Sequence, residues 1–233
     1  MLLGFTIGRD TIMITVYLTR HGQTVWNLDK RLQGSGNSDL TDHGVEQAEQ
    51  LKKRVDGLKL DVIYTSPLER ARKTANIIRG NRNIEIIEVD AFKEISFGEY
   101  EGHTEEELLK VGRGKEIKEI FNGKMDIKAP GGESLRNLYD RGGEALENIL
   151  KNSINKKILI VAHGMTLKAV MNYFNKGNGF YKEIMGQASL TKINCYKDEF
   201  QFEYINDTSH INKKINSGWE NIFVNNFARY YIC

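Results

Sequence analysis

Residues 16–27 read VYLTRHGQTVWN, and this stretch decides how the rest of the chain is interpreted. A β-branched, apolar run stops abruptly at Arg20 and His21, which is typical of a buried strand that ends in polar side chains. Residues 158–164, ILIVAHG, repeat the arrangement and end with His163 and a glycine. Because open α/β sheets bind ligands at the carboxyl ends of their strands, the sequence predicts that both histidines face one crevice.

Strand-like and helix-like segments alternate through most of the remaining sequence. Apolar or β-branched runs predict strands at residues 14–19, 61–65, 84–89 and 158–162. Helical periodicity predicts a helix capped by Thr41 with Val45, Ala48, Leu51 and Val55 on one face, a helix over residues 69–78 opened by Pro67, and a helix over residues 134–151. This order predicts right-handed crossovers and a three-layer α/β/α fold around a central, mainly parallel sheet.

Two segments depart from that alternation. Residues 95–130 are rich in Gly, Glu and Lys and contain short helical pieces, so we interpret them as a helical lid insertion. Residues 189–207 alternate between apolar and polar side chains around a turn at 197–199, which predicts an antiparallel hairpin at the sheet edge. The expected organisation is a single domain over residues 13–207, with an extension at 1–12 and a tail at 208–233 for which no element is predicted.

The composition limits the classes of function. The chain has 233 residues, of which 40% are hydrophobic and 27% charged, as in an ordinary globular protein with a sizeable core. A net charge of +2 without blocks of like charge argues against a nucleic-acid partner, and the apolar runs are too short for a membrane span. Two distant cysteines without a CxxC spacing predict a reducing, cytoplasmic setting. Both a monomer and a homodimer remain open.

The chemistry-bearing residues favour a phosphoryl group as the ligand. A single histidine at a strand end is usually structural, but here the pattern occurs twice, and Gly22 and Gly164 let the following backbone approach a bound group. Arg70 falls in the first turn of a helix, where the helix dipole prefers an anion, and a bound anion would resolve that misfit. Arginine suits phosphoryl oxygens, so Arg20 and Arg70 are candidate clamps.

A carboxyl group completes the predicted site. Glu94 follows the third strand and could protonate the departing oxygen of a phosphate ester. Glu99, Glu101 and residues 105–107 are expected to face solvent, and Trp26 and Tyr100 are equally compatible with packing and with substrate contact. With arginines to neutralise the phosphoryl charge, neither a metal nor another cofactor is expected.

The chain is similar to the histidine phosphatase superfamily, the phosphoglycerate-mutase-like proteins, over about residues 14–207. The resemblance rests on these motifs in family order: LTRHGQTVWN, LTDHGVEQAEQL, YTSPLERARKTA, KEISFGEYEG, PGGES and VAHG. It implies that His21 is transiently phosphorylated, that Arg20, Arg70 and His163 form the phosphate pocket, and that Glu94 is the proton donor. It also implies that the pocket is lined by Asn27, Gln33 and Gly34.

Within this family the sequence favours a phosphatase that hydrolyses a small-molecule phosphomonoester. The chain has only two prolines and lacks the proline-rich lid of the cofactor-dependent mutases that it resembles. Three alternatives stay open: a phosphoglycerate mutase that needs a bisphosphorylated primer, a catalytically silent module that binds a phosphorylated metabolite, and a metal site built from His21, His163 and a carboxylate. No HxH or HExxH spacing supports the metal site.

Overall fold

A computed structural model describes residues 13–175, 181, 183–196 and 199–212. Over these ranges the strands are β1 (Ile14–Arg20), β2 (Val62–Thr65), β3 (Glu85–Glu88), β4 (Lys157–Ala162), β5 (Leu190–Cys195) and β6 (Phe200–Asp207). The α-helices are α1 (Val25–Leu28), α2 (Asp42–Val55), α3 (Glu69–Arg79), α4 (Glu105–Lys110), α5 (Lys115–Phe121), α6 (Leu135–Lys151) and α7 (Gly164–Phe174).

The strands form a mixed sheet in the order β3-β2-β4-β1-β5-β6. β3, β2, β4 and β1 are parallel neighbours, whereas β5 and β6 pair antiparallel with their neighbours at one edge. The mainly parallel sheet and the edge hairpin are therefore confirmed. Positions 197 and 198 of the predicted turn, the extension at 1–12 and most of the tail at 208–233 lie outside the described residues.

Helices cover both faces of the sheet, which confirms the three layers. On one face, Leu51 of α2 and Ala75 of α3 pack against Tyr17, Ile63 and Leu159 of the strands. On the other face, α6 and α7 pack against the alternate strand residues, which are Val16, Leu18, Val62, Ile158 and Ile160. β1 and β4 are buried on both faces, which explains their continuous apolar sequences.

The predicted helices and strands are present, but two predictions about single residues in or next to them are wrong. Thr41 caps α2, because its hydroxyl accepts from the Gly44 N–H at 2.9 Å. The expectation that Val45 shares the buried face of α2 is wrong, since this residue lies at the border of the face and is 40% exposed. Pro67 does not open α3: the N-cap is Leu68, so the proline precedes the helix.

The lid segment, residues 95–130, carries α4 and α5 and no strand, as predicted. Its apolar side chains form a hydrophobic cluster of their own with the first turns of α6 and α7. The cluster includes Ile95, Phe97, Tyr100, Leu108, Ile117, Ile120, Leu135, Leu138 and Met165. Tyr100 is buried and donates its hydroxyl proton to Glu116 at 3.0 Å, so it packs within the lid. The lid is thereby fixed to the two helices that border the crevice.

Backbone contact joins the loop after β1 to the start of α2. A side chain on Gly44 would overlap with the Gln23 carbonyl, and one on Gly22 would overlap with the Gly44 carbonyl. The Gly22 N–H donates to the Thr74 hydroxyl of α3 at 3.1 Å. The backbone that follows His21 is thus held against two helices.

Candidate active site

The loops after β1 and β4 bring the two histidines together. The His21 N–H donates to the Ala162 carbonyl of the neighbouring strand at 3.0 Å. The ring centroids of His21 and His163 are 5.2 Å apart, and their planes are inclined by 56°. The two histidines therefore lie together at the carboxyl edge of the parallel strands, as predicted.

The His21 ring is buried and held in one tautomer by its own loop. Its Nδ1 lies 2.7 Å from the Gly22 carbonyl oxygen, an acceptor, so Nδ1 carries the proton and donates. The lone pair is left on Nε2. Burial, followed by the positive charges of Arg70 and Arg20, holds the pKa of His21 well below its usual range. A neutral imidazole with a free lone pair is a nucleophile at neutral pH.

His163 takes the opposite tautomer. Its Nδ1 accepts from Arg70 Nε at 3.2 Å, so Nε2 carries the proton and donates to the Ser66 hydroxyl at 2.8 Å. Burial and the charge of Arg70 also hold the pKa of His163 well below its usual range. Within the crevice, one histidine therefore offers a lone pair and the other a proton. The sequence analysis did not single out Ser66.

Arg70 is 1% exposed and joins distant parts of the chain. Besides its bond to His163, it donates through Nη1 to the Gly36 carbonyl and through Nη2 to the Gly34 carbonyl, each at 2.7 Å. Gly34 has a φ of +51°, a conformation that favours glycine. Burial lowers the pKa of Arg70 to about 10, which still leaves the guanidinium charged at neutral pH.

Arg20 and Glu94 both lie close to Gly164, the first residue of α7. A Cβ on this glycine would lie 3.6 Å from Arg20 Cζ and 3.7 Å from Glu94 Oε2, so both charged groups border the helix start. Arg20 Nη1 donates to the Met185 carbonyl at 3.2 Å. A guanidinium and a carboxylate are thus placed side by side at the edge of the crevice.

Glu94 is held by backbone donors. Its Oε1 accepts from the N–H groups of Ile95 and Thr166 at 3.0 and 3.1 Å, and its Oε2 accepts from the N–H of Met165 at 3.1 Å. Two of these donors belong to the first turn of α7, where the helix dipole favours a carboxylate. The side chain is consequently fixed at the start of α7 rather than free in solvent.

The remaining predicted residues are Asn27 in α1 and Gln33 and Gly34 in the loop that contacts Arg70. Asn27 Oδ1 accepts from the Thr24 N–H at 3.1 Å and completes a capping box for α1, so a structural role is visible for it. Gln33 is 8% exposed, and its Oε1 has no hydrogen-bond partner among the described residues. The Gly34 carbonyl accepts from Arg70. Substrate binding by Asn27, Gln33 and Gly34 stays a prediction.

Two further sets of residues support the site, and the sequence analysis missed both. Glu101 was expected to face solvent, which is wrong: its Oε1 accepts from the Ser35 N–H, the Ser96 hydroxyl and the Phe97 N–H at 2.9–3.1 Å. It thereby ties the loop that contacts Arg70 to the loop that follows Glu94. The only sequence signal for such a role is its position between glycines, in GEYEG.

The second missed set is the ion pair between Glu133 and Arg141. Arg141 binds both carboxylate oxygens of Glu133, at 2.7 and 2.8 Å, and donates to the carbonyls of Ala91 and Glu94 at 2.5 and 3.3 Å. Both side chains are mostly buried. This pair fixes the backbone on either side of the Glu94 loop, and no spacing rule in the sequence indicates it.

Glu94 also borders an open groove of about 430 Å³, which neither histidine lines. It is lined by Ser35, Asp90, Ala91, Lys93, Glu94, Ser96, Glu133 and Arg141. No group of three or more His, Cys, Asp or Glu side chains in the described ranges is arranged to hold a metal ion. Nor does that part of the chain contain a helix long and apolar enough to cross a bilayer.

The fold and the crevice define an α/β protein with a two-histidine, two-arginine pocket at the carboxyl edge of its sheet. Comparison with known families identifies the family to which the chain belongs. The family model described as the histidine phosphatase superfamily (branch 1) matches residues 16–208, and the chain belongs to this superfamily. The resemblance identified from the sequence motifs is thereby confirmed.

Individual relatives include proteins named as phosphatases and as mutases. The chain is 33% identical over 200 residues to a Bacillus subtilis protein named "Uncharacterized phosphatase PhoE", covering 85% of this chain and 97% of the relative. It is 34% identical over 160 residues to a Salmonella choleraesuis protein named "Probable phosphoglycerate mutase GpmB", covering 69% and 74%.

Solved structures agree with the fold. Bacillus stearothermophilus YhfR superposes with a TM-score of 0.80 at 33% identity, covering 85% of this chain and all of that one. A phosphoserine phosphatase from Entamoeba histolytica superposes with a TM-score of 0.73 at 29% identity, again over 85% and 100%.

Proposed function

We propose that the protein is a phosphatase that hydrolyses a small-molecule phosphomonoester through a phosphohistidine on His21, with Glu94 as the proton donor. The observation that carries this proposal is the state of His21. Its Nδ1–H is engaged by the Gly22 carbonyl and its Nε2 lone pair is free, while burial and two arginines keep the ring neutral. Such a group can attack phosphorus without first losing a proton.

The charges around His21 suit a phosphoryl group. Arg20 and Arg70 supply two permanent positive charges, and His163 accepts from Arg70 Nε and so holds that guanidinium in place. Phosphoryl transfer is catalysed mainly by positioning and by stabilising charge on the equatorial oxygens. In this scheme the arginines supply that stabilisation and His163 positions Arg70.

The reaction has two steps. In the first, a bond forms between His21 Nε2 and phosphorus, the ester oxygen departs, and Glu94 gives that oxygen its proton, so that an alcohol leaves. In the second, water attacks phosphorus, the Glu94 carboxylate takes a proton from the water, and the P–N bond breaks to release phosphate and neutral His21. The position of Glu94 beside Arg20, at the start of α7, supports this double role.

A mutase is the second candidate, because one group of relatives carries the name phosphoglycerate mutase. A mutase would return the phosphoryl group to a sugar acid instead of to water. The absence of a proline-rich lid, with only two prolines in the whole chain, favours hydrolysis. Isomerisation of phosphoglycerate without phosphate release, dependent on a bisphosphorylated primer, would identify the mutase.

The direct test is phosphate release from an aryl phosphate in the presence of excess EDTA, compared between the native protein and His21→Ala. His43→Ala, which removes a histidine at the start of α2, is the matched control. We expect release that survives EDTA, persists in His43→Ala and is lost in His21→Ala. Full activity in His21→Ala would refute the covalent mechanism, and no release from the native protein would favour the mutase or a silent binding module.

A further inference from the structure

The groove next to Glu94 determines which alcohol can leave. In the proposed reaction Glu94 protonates the ester oxygen, so the departing alcohol must lie next to the Glu94 side chain. Glu94 is also part of the lining of the 430 Å³ groove. Its lining therefore defines the substrate beyond the phosphate, and this inference rests on the proposed function.

The charges in the groove are already neutralised by one another. Lys93 Nζ lies 2.9 Å from Asp90 Oδ2. Arg141 grips both oxygens of Glu133, at 2.7 and 2.8 Å. In the first step Glu94 carries its proton and is neutral, so the lining holds two carboxylates against two cations. Each cation of the lining is paired with a carboxylate, and the charges balance.

A carboxylate on the leaving group would gain little binding free energy in this groove. To reach Lys93 or Arg141 it must displace Asp90 or Glu133, which exchanges one ion pair for another and leaves a displaced carboxylate nearby. Rejection of a partner by like charge is a common source of specificity. An ammonium group would likewise have to displace Lys93 or Arg141 from its carboxylate, whereas a hydroxyl can bond to Ser35 or to the paired groups.

We infer that the substrates are phosphate esters of uncharged polar alcohols, and that esters whose alcohol carries a charge of its own are disfavoured. The site then separates substrates by the charge of the leaving group more than by its size. Screening of the groove by salt must weaken this preference, because Lys93 and Asp90 are both partly exposed.

A panel of small esters with similar skeletons tests this inference. We would measure kcat/KM for phosphate release from glycerol phosphate, phosphoethanolamine and 3-phosphoglycerate, with an aryl phosphate as reference. The neutral ester is expected to exceed both charged esters by about tenfold at low ionic strength, and the gap should shrink in about 0.5 M salt.

Asp90→Asn provides the variant test. It frees Lys93 to bind a carboxylate, so the ratio of 3-phosphoglycerate to glycerol phosphate turnover should rise several-fold. Asp126→Asn is the matched control, because Asp126 is also an exposed aspartate paired with a cation, Arg136, but does not line the groove. That control is expected to leave the ratio unchanged.

The failure of this inference can be told apart from the failure of the proposed function. If the native protein does not hydrolyse the aryl phosphate, the proposed function itself is refuted. If it does, equal or faster turnover of either charged ester overturns the inference alone, as does an unchanged ratio in Asp90→Asn or hydrolysis of none of the three polar esters.

Discussion

Because His21 and His163 are buried and neutral, we expect acid to destabilise the folded state. The pKa values of His21 and His163 are held well below the usual range, chiefly by burial. In the unfolded chain both imidazoles are in water, where their pKa is about 6.5. Below pH ~6.5 the unfolded chain therefore binds two protons that the folded chain does not bind, and the free energy of unfolding must fall with pH.

The magnitude follows from linkage. Each proton taken up only by the unfolded chain lowers the free energy of unfolding by about 1.4 kcal/mol per pH unit, so the two histidines together contribute about 2.7 kcal/mol per pH unit. This slope applies below pH ~6.5 and above the depressed pKa of the folded state. Well above pH ~6.5 both groups are neutral in both states, and their contribution to stability is complete and constant.

Urea unfolding between about pH 5.5 and 7.5 measures the slope. His21→Asn removes one of the two groups and is expected to reduce the slope by about 1.4 kcal/mol per pH unit. His103→Asn is the control, since that side chain is 54% exposed in the folded protein and should leave the slope unchanged. An identical slope in the native protein and in His21→Asn would show that His21 is not held neutral, and the argument for its nucleophilicity would fail.

Three further substitutions test how the site is supported. Arg141→Lys removes the bidentate bond to Glu133 that helps to hold the loop containing Glu94. We expect kcat for an alkyl phosphate to fall about tenfold. The kcat for an aryl phosphate, which has a better leaving group, should change much less. Thr74→Val leaves the buried Gly22 N–H without its acceptor and should cost about 1–3 kcal/mol in urea unfolding, whereas Thr74→Ser should restore most of it. Gly44→Ala is expected to cost about 1–3 kcal/mol because the new Cβ overlaps with backbone, and Gly57→Ala, where nothing lies within 4 Å, should change stability by less than about 1 kcal/mol.

The architecture was predictable because it depends on strong local patterns. The apolar runs of β1 and β4 are uninterrupted since both strands are buried on both faces, and Thr41 marks the start of α2 with its own side chain. Predictions failed where geometry depends on neighbours in space. Val45 has the right periodicity for a buried residue, but α2 meets the sheet along a narrower face than the pattern suggests.

The centre of the site could be predicted and its supports could not. His21 and His163 follow buried strands directly, so the sheet topology alone brings them together. Glu101 and the pair of Glu133 with Arg141 act through contacts between loops that are far apart in sequence. Glu101 and Arg141 bond to backbone groups that come into position only after the lid has packed. A single sequence carries no periodic signal for such contacts.

Arg70 has a consequence for how the molecule responds to ligands. Its guanidinium, carried by α3, bonds to Gly34, which lies 36 residues before it in the chain, and to His163, which lies 93 residues after it. An oxyanion that binds there recognises only the assembled chain, so at about 100 times its Kd it should add about 2.7 kcal/mol to the stability of the fold. Phosphate or vanadate should therefore raise the melting temperature even in variants that no longer turn over substrate. The melting temperature would thus report whether the pocket is occupied, whether or not the protein catalyses a reaction.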